Sequence, residues 1–166
     1  MSAEMELARQ LGELLLDRGE CLTLAESCTA GRIAGAVTDI AGSSAWFGYG
    51  FVTYSHEAKR QMLGVRAETL ADDGAVSERT VREMAAGALL HSGADWAVAV
   101  SGIAGPAGGS VAKPVGTVWF ALAGRQGAAE AFVCHFSGDR LEVRRQTVET
   151  ALSRLIQLIG RQPLSA

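Results

Sequence analysis

The chain has 166 residues, of which 48% are hydrophobic and 20% charged, a size and composition that suit one domain with its own core. Fifteen basic and eighteen acidic residues give a formal net charge of −3. This balance excludes the basic excess that is typical of proteins binding duplex nucleic acid. We therefore expect no direct nucleic-acid partner.

The cysteines and histidines indicate neither a disulfide framework nor a metal centre. The three cysteines are an odd number without a CxxC spacing, so disulfides and structural zinc are both unexpected. The three histidines have no metal-ligand spacing. We expect no metal and no cofactor.

Targeting and membrane segments are also unexpected. Residues 1–20 carry charges in every helical turn, so they lack the unbroken apolar stretch of a signal peptide. No segment approaches the roughly 18 consecutive apolar residues of a membrane-spanning helix. Because no linker or repeat divides the sequence, we expect a cytoplasmic protein with a single domain over residues 1–166 and no membrane partner.

The spacing of apolar residues predicts the secondary structure. An amphipathic helix ends at Gly19, Ser55 and Ser77 are placed to cap later helices, and the fully apolar segment 96–100 is typical of a central strand. The predicted order is helix 3–19, strand 21–25, helix 29–40, strand 46–54, helix 55–63, helix 76–93, strand 96–100, strand 115–123, its antiparallel neighbour 129–136 and helix 138–160. This alternation predicts an α/β fold with helices covering a mixed sheet.

The segment LAESCTAG, residues 24–31, is the first candidate for chemistry. A strand passing directly into a helix would place Ser27 near the helix amino terminus, where free N–H groups and the helix dipole favour negative charge. This position suits a serine nucleophile beside an oxyanion site. Two alternatives stay open: Ser27 or Thr29 only caps the helix, or the thiol of Cys28 is the nucleophile.

The segment YSHEAK, residues 54–59, is the second candidate. Side chains lean toward the amino terminus of a helix, so Lys59 would point back toward Tyr54 at the end of the preceding strand. A desolvated lysine loses its proton more readily than an exposed one, and a neutral amine can act as a base. The alternative is an ordinary lysine whose stem covers apolar surface while its amine stays in water.

Two further segments could bind an anionic substrate. Gly102, Gly105, Gly108 and Gly109 follow the apolar strand, and such a loop can turn its N–H groups toward a ligand; the alternative is a long flexible connection. In the segment 137–145, Arg140 and Arg144 lie four positions apart on one helix face and could hold a phosphate together. The alternative is a surface ion pair of Arg140 with a neighbouring carboxylate.

The order of these motifs resembles the CinA carboxy-terminal-domain family. The resemblance runs from about residue 5 to residue 160 and rests on six segments in sequence: LAESCTAG, YSHEAKRQMLGV, GAVSERTVREMAAGAL, AVAVSGIAGPAGG, KPVGTVWFALA and FSGDRLEVRRQTV. It implies a three-layer α/β/α domain with a mixed sheet. It also implies an amidase that converts nicotinamide mononucleotide to nicotinic acid mononucleotide and ammonia, without a metal.

The resemblance also implies roles for particular residues. Ser27 corresponds to the family's nucleophile, Tyr54 and Lys59 to the tyrosine and lysine of its second motif, and the glycine loop with Arg140 to the nucleotide cradle. We expect Lys59 to take the proton of Ser27 with Tyr54 in its hydrogen-bond network, and backbone N–H groups near residues 28–30 to hold the oxyanion. The full set of expected substrate-binding residues is Glu26, Cys28, Thr29, Ala30, Gly31, Ser101, Gly102, Gly105, Gly108, Gly109, Arg140 and Arg144.

Two positions depart from the family pattern. Ala30 stands where the family has the first glycine of CTGG, and its methyl group would strain a backbone with positive φ. Ser101 replaces a threonine but keeps the hydroxyl. The alternative functions are a regulatory module that binds a pyridine nucleotide without hydrolysing it, and a competence-associated partner. A homo-oligomer is expected, as for many small enzymes.

Overall fold

The sheet is built around an apolar strand that is buried on both faces. The structure, a computed structural model, describes residues 1–164. Its five strands are β1 (Leu22–Glu26), β2 (Phe47–Val52), β3 (Trp96–Gly102), β4 (Thr117–Gly124) and β5 (Ala129–His135). They lie in the order β2-β1-β3-β4-β5. β1 runs parallel to β2 and β3, whereas β4 is antiparallel to both β3 and β5, so the predicted mixed sheet and its antiparallel pair are confirmed.

Helices cover both faces of this sheet, which confirms the three-layer α/β/α fold. The helices are α1 (Ala3–Arg18), α2 (Arg32–Thr38), α3 (His56–Leu63), α4 (Ala67–Asp73), α5 (Glu78–Ser92) and α6 (Arg140–Gly160). α1, α2 and α6 share one hydrophobic core with the sheet, and α3, α4 and α5 share the other. Residues 165 and 166, which complete the predicted single domain of 1–166, lie outside the described residues.

The two faces of β3 differ in side-chain size. Val98 and Val100 belong to the core beneath α6, whereas Ala97 and Ala99 belong to the core beneath α5. Small side chains let a helix approach the sheet closely. A small residue is also required in α5 itself, because an added Cβ at Gly87 would lie only 1.9 Å from the carbonyl oxygen of Leu63. The backbone of α3 at Leu63 therefore lies directly against the backbone of α5 at Gly87, with no side chain between them.

The parallel part of the sheet brings three connections together. Glu26 at the end of β1 pairs with Val52 of β2 and with Val100 of β3. The segments that leave these three strands therefore begin at the same edge of the sheet, where α/β proteins commonly bind ligands. They are the segments that the sequence singled out.

Two elements differ from the prediction. The helix predicted over 29–40 is shorter, because Ala30 and Gly31 have φ of +46° and +97°, outside the helical region, and α2 begins only at Arg32. The helix α4 was not predicted, since its sequence AETLADD buries only Thr69 and Leu70 and has no clear apolar period. Among residues 1–164, no helix is long and apolar enough to cross a membrane.

The close approach of α3 and α5 gives a stability prediction. A Gly87→Ala substitution places a methyl group against the Leu63 backbone, which cannot move without displacing α3, so we expect a loss of at least about 2 kcal/mol in the free energy of unfolding. Chemical denaturation monitored by circular dichroism measures the change.

Gly35 is the matched control, because it is also helical but nothing lies within 4 Å of its added Cβ. Gly35→Ala should stabilise the protein by roughly 0.5–1 kcal/mol through better helix propensity. Equal effects of the two substitutions would contradict the close contact between the helices.

Candidate active site

The three connections surround a cleft of about 290 Å³. Eight of the predicted site residues line it: Ser27, Cys28, Tyr54, Lys59, Ser101, Gly102, Gly105 and Arg140. Seven others do not: Glu26, Thr29, Ala30, Gly31, Gly108, Gly109 and Arg144. The sequence did not single out the remaining lining residues, which are His56, Ala75, Val76, Ile103, Ala104 and Ala107.

Ser27 and Lys59 form the polar centre of the cleft. The Nζ atom of Lys59 lies 2.9 Å from the Oγ atom of Ser27, so the predicted proximity of the two side chains is confirmed. Lys59 is 1% exposed and Ser27 8% exposed. Lys59 points back along α3, as predicted, and Ser55 caps this helix by accepting a hydrogen bond from the N–H of Ala58.

The surroundings of Lys59 make its amine easier to deprotonate than that of an exposed lysine. Burial lowers the pKa of Lys59 from 10.5 to about 8, since desolvation penalises the charged amine. Nζ also donates to the carbonyl oxygens of Thr53 at 2.8 Å and Tyr54 at 3.4 Å. A neutral amine has two N–H groups and one lone pair. With its two N–H groups on these carbonyls, the lone pair is left for the hydroxyl of Ser27.

Glu26, which immediately precedes Ser27, does not line the cleft and instead binds the start of α2. Its carboxylate is buried and accepts hydrogen bonds from the N–H groups of Ile33 and Ala34 at 2.9 and 3.0 Å, and from the hydroxyl of Thr29 at 2.6 Å. A carboxylate at this position satisfies the free N–H groups at the start of α2. These helix N–H groups are therefore not available to a substrate, contrary to the simplest form of the prediction.

The turn between Ser27 and α2 also differs from the predicted oxyanion site. The N–H of Ala30 donates to the carbonyl of Ser27 at 3.1 Å, so it is not available to an oxyanion. No acceptor among residues 1–164 takes a hydrogen bond from the N–H of Cys28 or from that of Thr29. Arg144 lies behind this turn and donates to the carbonyls of Cys28 at 3.0 Å and Thr29 at 3.2 Å.

Tyr54 and Arg140 lie at the mouth of the cleft. The hydroxyl of Tyr54, a residue 59% exposed, accepts a hydrogen bond from Arg140 at 3.0 Å. Tyr54 therefore contacts Lys59 through its backbone carbonyl. Its hydroxyl binds Arg140 instead, contrary to the expectation that it would join the hydrogen-bond network of the amine. Arg140 also donates to the carbonyl of Gly105 at 2.9 Å. Arg140 and Arg144 thus have different contacts and do not form a joint clamp.

The glycine loop packs against its own later residues. A Cβ at Gly105 would lie 2.4 Å from the side chain of Val115, and one at Gly109 would lie 2.9 Å from the N atom of the same residue. The amine of Lys113 donates to the carbonyl of Asp73 at 2.6 Å and ties the loop to α4. These contacts describe a folded loop with defined packing, in contrast to the flexible connection that the sequence left open.

Cys28 lines the cleft, but its environment disfavours the thiolate. Burial raises the pKa of the Cys28 thiol to about 11, because the thiolate loses its hydration. The thiolate is the reactive form of cysteine, so the thiol is a poor rival to Ser27 near neutral pH. Among residues 1–164, no three His, Cys, Asp or Glu side chains gather in a group that could hold a metal ion.

Ile103, Ala104 and Ala107 lie within the glycine loop that the sequence indicated, and of the other three unpredicted lining residues only His56 carried a usable signal. It follows the cap of α3 and lies between Tyr54 and Lys59, so a side chain there faces the same end of the sheet. Ala75 and Val76 belong to the connection between α4 and α5, which has no polar motif and could not be assigned without the fold.

Two solved structures share this fold. The competence/damage inducible protein CihA of Agrobacterium tumefaciens superposes with a TM-score of 0.93 at 50% identity, covering 95% of this chain and 96% of that chain. A CinA superfamily protein of Klebsiella pneumoniae 700603 gives a TM-score of 0.92 at 45% identity, covering 96% and 99% of the two chains.

Sequence relatives agree with this likeness. The nicotinamide-nucleotide amidohydrolase PncC of Escherichia coli K12 is 60% identical over 153 residues, 92% of this chain and 93% of that protein. The PncC protein of Pseudomonas putida is 53% identical over 152 residues, 92% and 94% of the two proteins. The family described as the CinA C-terminal domain matches residues 4–159. The chain therefore belongs to the CinA C-terminal domain family.

Proposed function

We propose that this chain is a nicotinamide-nucleotide amidohydrolase that uses Ser27 as nucleophile and Lys59 as general base. The observation that carries the proposal is the 2.9 Å contact between Lys59 Nζ and Ser27 Oγ in a buried corner of the cleft. A serine hydroxyl is a weak nucleophile until an adjacent base removes its proton. The names of the E. coli and P. putida relatives support the substrate class.

In the proposed reaction, the neutral amine of Lys59 takes the proton of Ser27 as Oγ attacks the carboxamide carbon. When the tetrahedral intermediate collapses, its amide nitrogen takes the proton from Lys59 and leaves as ammonia. Water attacks the resulting ester, passes a proton through Lys59 to Ser27 Oγ, and releases the carboxylate product. The acylation and deacylation half-reactions each return the protein to its starting protonation state, and the carboxylic acid formed by hydrolysis loses its remaining proton to the solvent, so no co-reactant besides water is needed.

The charges around the cleft suit an anionic substrate. Among the described residues that line it there is no carboxylate, whereas Arg140 supplies a permanent positive charge. Arg140 makes no ion pair with a described carboxylate. It is therefore available to a phosphate at the mouth. Its contact with the hydroxyl of Tyr54 places this cation beside an exposed residue of the cleft. A phosphate paired with Arg140 would raise the pKa of Lys59 less than an unpaired phosphate.

Ser27→Ala tests the nucleophile. Without the hydroxyl no acyl-enzyme forms, so we expect the rate of ammonia release from nicotinamide mononucleotide to fall by about 10³-fold or more. Cys28→Ala is the companion variant and should keep most of the turnover. Activity that survives Ser27→Ala but not Cys28→Ala would assign the chemistry to the thiol. Tight nucleotide binding by the unaltered protein without ammonia release would instead support the non-catalytic module.

The pKa of Lys59 predicts a pH profile. Because the base must be neutral and its pKa lies at about 8, kcat/KM should fall about tenfold per pH unit below that value and level off above it. Lys59→Arg keeps the charge and donors but cannot lose its proton at accessible pH, so it should be inactive throughout. A flat profile between pH 6 and 9, or an active Lys59→Arg enzyme, would rule out this base.

The same pKa predicts how stability depends on pH. The folded protein holds Lys59 at a pKa of about 8, against 10.5 for the ordinary side chain. Between these values the unfolded chain binds more protons, so the lysine's contribution makes the free energy of unfolding rise with pH in this window. Lys59→Met removes that contribution. Denaturation at several pH values should therefore give a shallower rise, or none, for the variant, and an identical pH dependence would contradict the depressed pKa.

A further inference from the structure

We infer that Arg144 is a positioning residue that orients and polarises the peptide group between Cys28 and Thr29, so that the N–H of Thr29 receives the oxyanion. This inference rests on the proposed serine mechanism and adds a residue that does not itself touch the substrate. It starts from a contact that a phosphate-binding role leaves unexplained. Arg144 does not line the cleft. Its guanidinium binds the backbone of residues 27–31, which connect β1 to α2 and which we call the nucleophile turn.

The first step is the geometry of the contact. Nε of Arg144 donates to the carbonyl of Cys28 at 3.0 Å, and Nη2 donates to the carbonyl of Thr29 at 3.2 Å. These two N–H groups form one edge of the planar guanidinium and point in parallel, as in its bidentate contacts with carboxylates. One rigid group therefore fixes two successive peptide units directly after Ser27.

The second step follows from covalent geometry. The peptide bond between Cys28 and Thr29 is trans, since the cis bond found within residues 1–164 is Gly105–Pro106. In a trans peptide the N–H points opposite to the C=O of the same unit. The N–H of Thr29 is therefore directed away from Arg144. Cys28, which supplies the carbonyl of this peptide group, lines the cleft, whereas Arg144 does not.

The third step concerns availability. The N–H of Thr29 has no acceptor within residues 1–164, whereas the neighbouring N–H groups of Ser27 and Ala30 donate to the carbonyls of Val100 and Ser27. A backbone N–H two residues after a nucleophile is close enough in the chain to meet the oxyanion of its adduct. The N–H groups of Cys28 and Gly31 also have no acceptor within residues 1–164. Of these free donors, the N–H of Thr29 is the one that shares a peptide group with a carbonyl bound by Arg144.

The fourth step is electrostatic. Arg144 makes no ion pair with any described carboxylate, whereas its neighbour Arg145 pairs with Glu142 and Glu149. The full charge of Arg144 therefore acts on the peptide carbonyls. A hydrogen bond from a cation to a carbonyl polarises the peptide group and strengthens its N–H as a donor. The effect is largest when negative charge develops on the other side of the peptide, as it does in the transition state.

The test compares Arg144→Met with Arg145→Met in steady-state hydrolysis of nicotinamide mononucleotide. Arg144→Met should lower kcat at least about tenfold, against the roughly 10²-fold or greater loss on removing an oxyanion donor itself. KM should change little, because the interaction strengthens only in the transition state. Arg145→Met should keep the wild-type kcat. Arg144→Lys should fall between them, since an ammonium cannot present two parallel donors.

A second readout separates positioning from a general loss of structure. In Arg144→Ala, millimolar methylguanidinium can occupy the vacated space and should restore part of kcat, while it should not stimulate wild-type enzyme or Arg145→Ala. The labelling rate of Ser27 by a fluorophosphonate, followed by intact mass, should fall in parallel with kcat because its phosphoryl oxygen also needs the donor. Melting temperatures establish that each variant is folded at the assay temperature.

Wild-type kcat in folded Arg144→Met would overturn the inference. A loss that methylguanidinium does not restore, with KM rising in parallel, would overturn it as well. In both cases the serine mechanism survives if Ser27→Ala is inactive and wild-type Ser27 is labelled. If Ser27→Ala keeps its turnover, the proposed function itself fails and the oxyanion role of Thr29 fails with it.

Discussion

The burial of the Lys59 amine against the hydroxyl of Ser27 is the interaction on which the rest of the site depends. The two residues are 32 positions apart in the sequence, so only the tertiary fold brings them together. In the proposed mechanism burial matters because it lowers the pKa of Lys59 from 10.5 to about 8, so that a larger fraction of the amine is neutral near physiological pH than in water. A charged lysine in this corner would donate to Ser27, whereas the neutral amine can accept its proton. The functional requirement is therefore a dry environment, which the surrounding helices and loops must maintain.

The fold meets this requirement by holding α3 close to its neighbours. Lys59 lies on α3, and α3 contacts α5 where Gly87 leaves room for the backbone of Leu63. The carbonyls of Thr53 and Tyr54, at the end of β2, then satisfy the two N–H groups of a neutral amine. A buried amine without such partners would destabilise the protein further. The site is thus fixed by packing from one side and by backbone hydrogen bonds from the other.

Much of this arrangement could be predicted from the sequence. The alternating pattern indicated the α/β fold, and Ser55 marked the start of the helix that carries Lys59. The resemblance to the CinA family identified Ser27 and Lys59 as partners. The sequence could not reveal which members of a motif face the cleft. Glu26 and Arg144 belong to the same motifs as the lining residues, yet neither lines the cleft, because Glu26 binds the N–H groups at the start of α2 and Arg144 binds the carbonyls of the turn before it. Contacts with backbone groups leave no periodic signal in the sequence.

The nucleophile turn also explains why the helix prediction failed at its most functional point. A helix beginning at Thr29 would have continued directly from the strand, with its N–H groups free. Instead Ala30 takes a left-handed conformation that an alanine normally avoids. Such a conformation persists only when the surroundings determine it, and here the side chains of Glu26 and Arg144 bind the backbone after and before Ala30. Glu26 holds the N–H groups at the start of α2, and Arg144 holds the carbonyls before it. These hydrogen bonds offset the backbone strain at Ala30 and hold the turn that carries Ser27 in one conformation. A preorganised oxyanion site requires such rigidity.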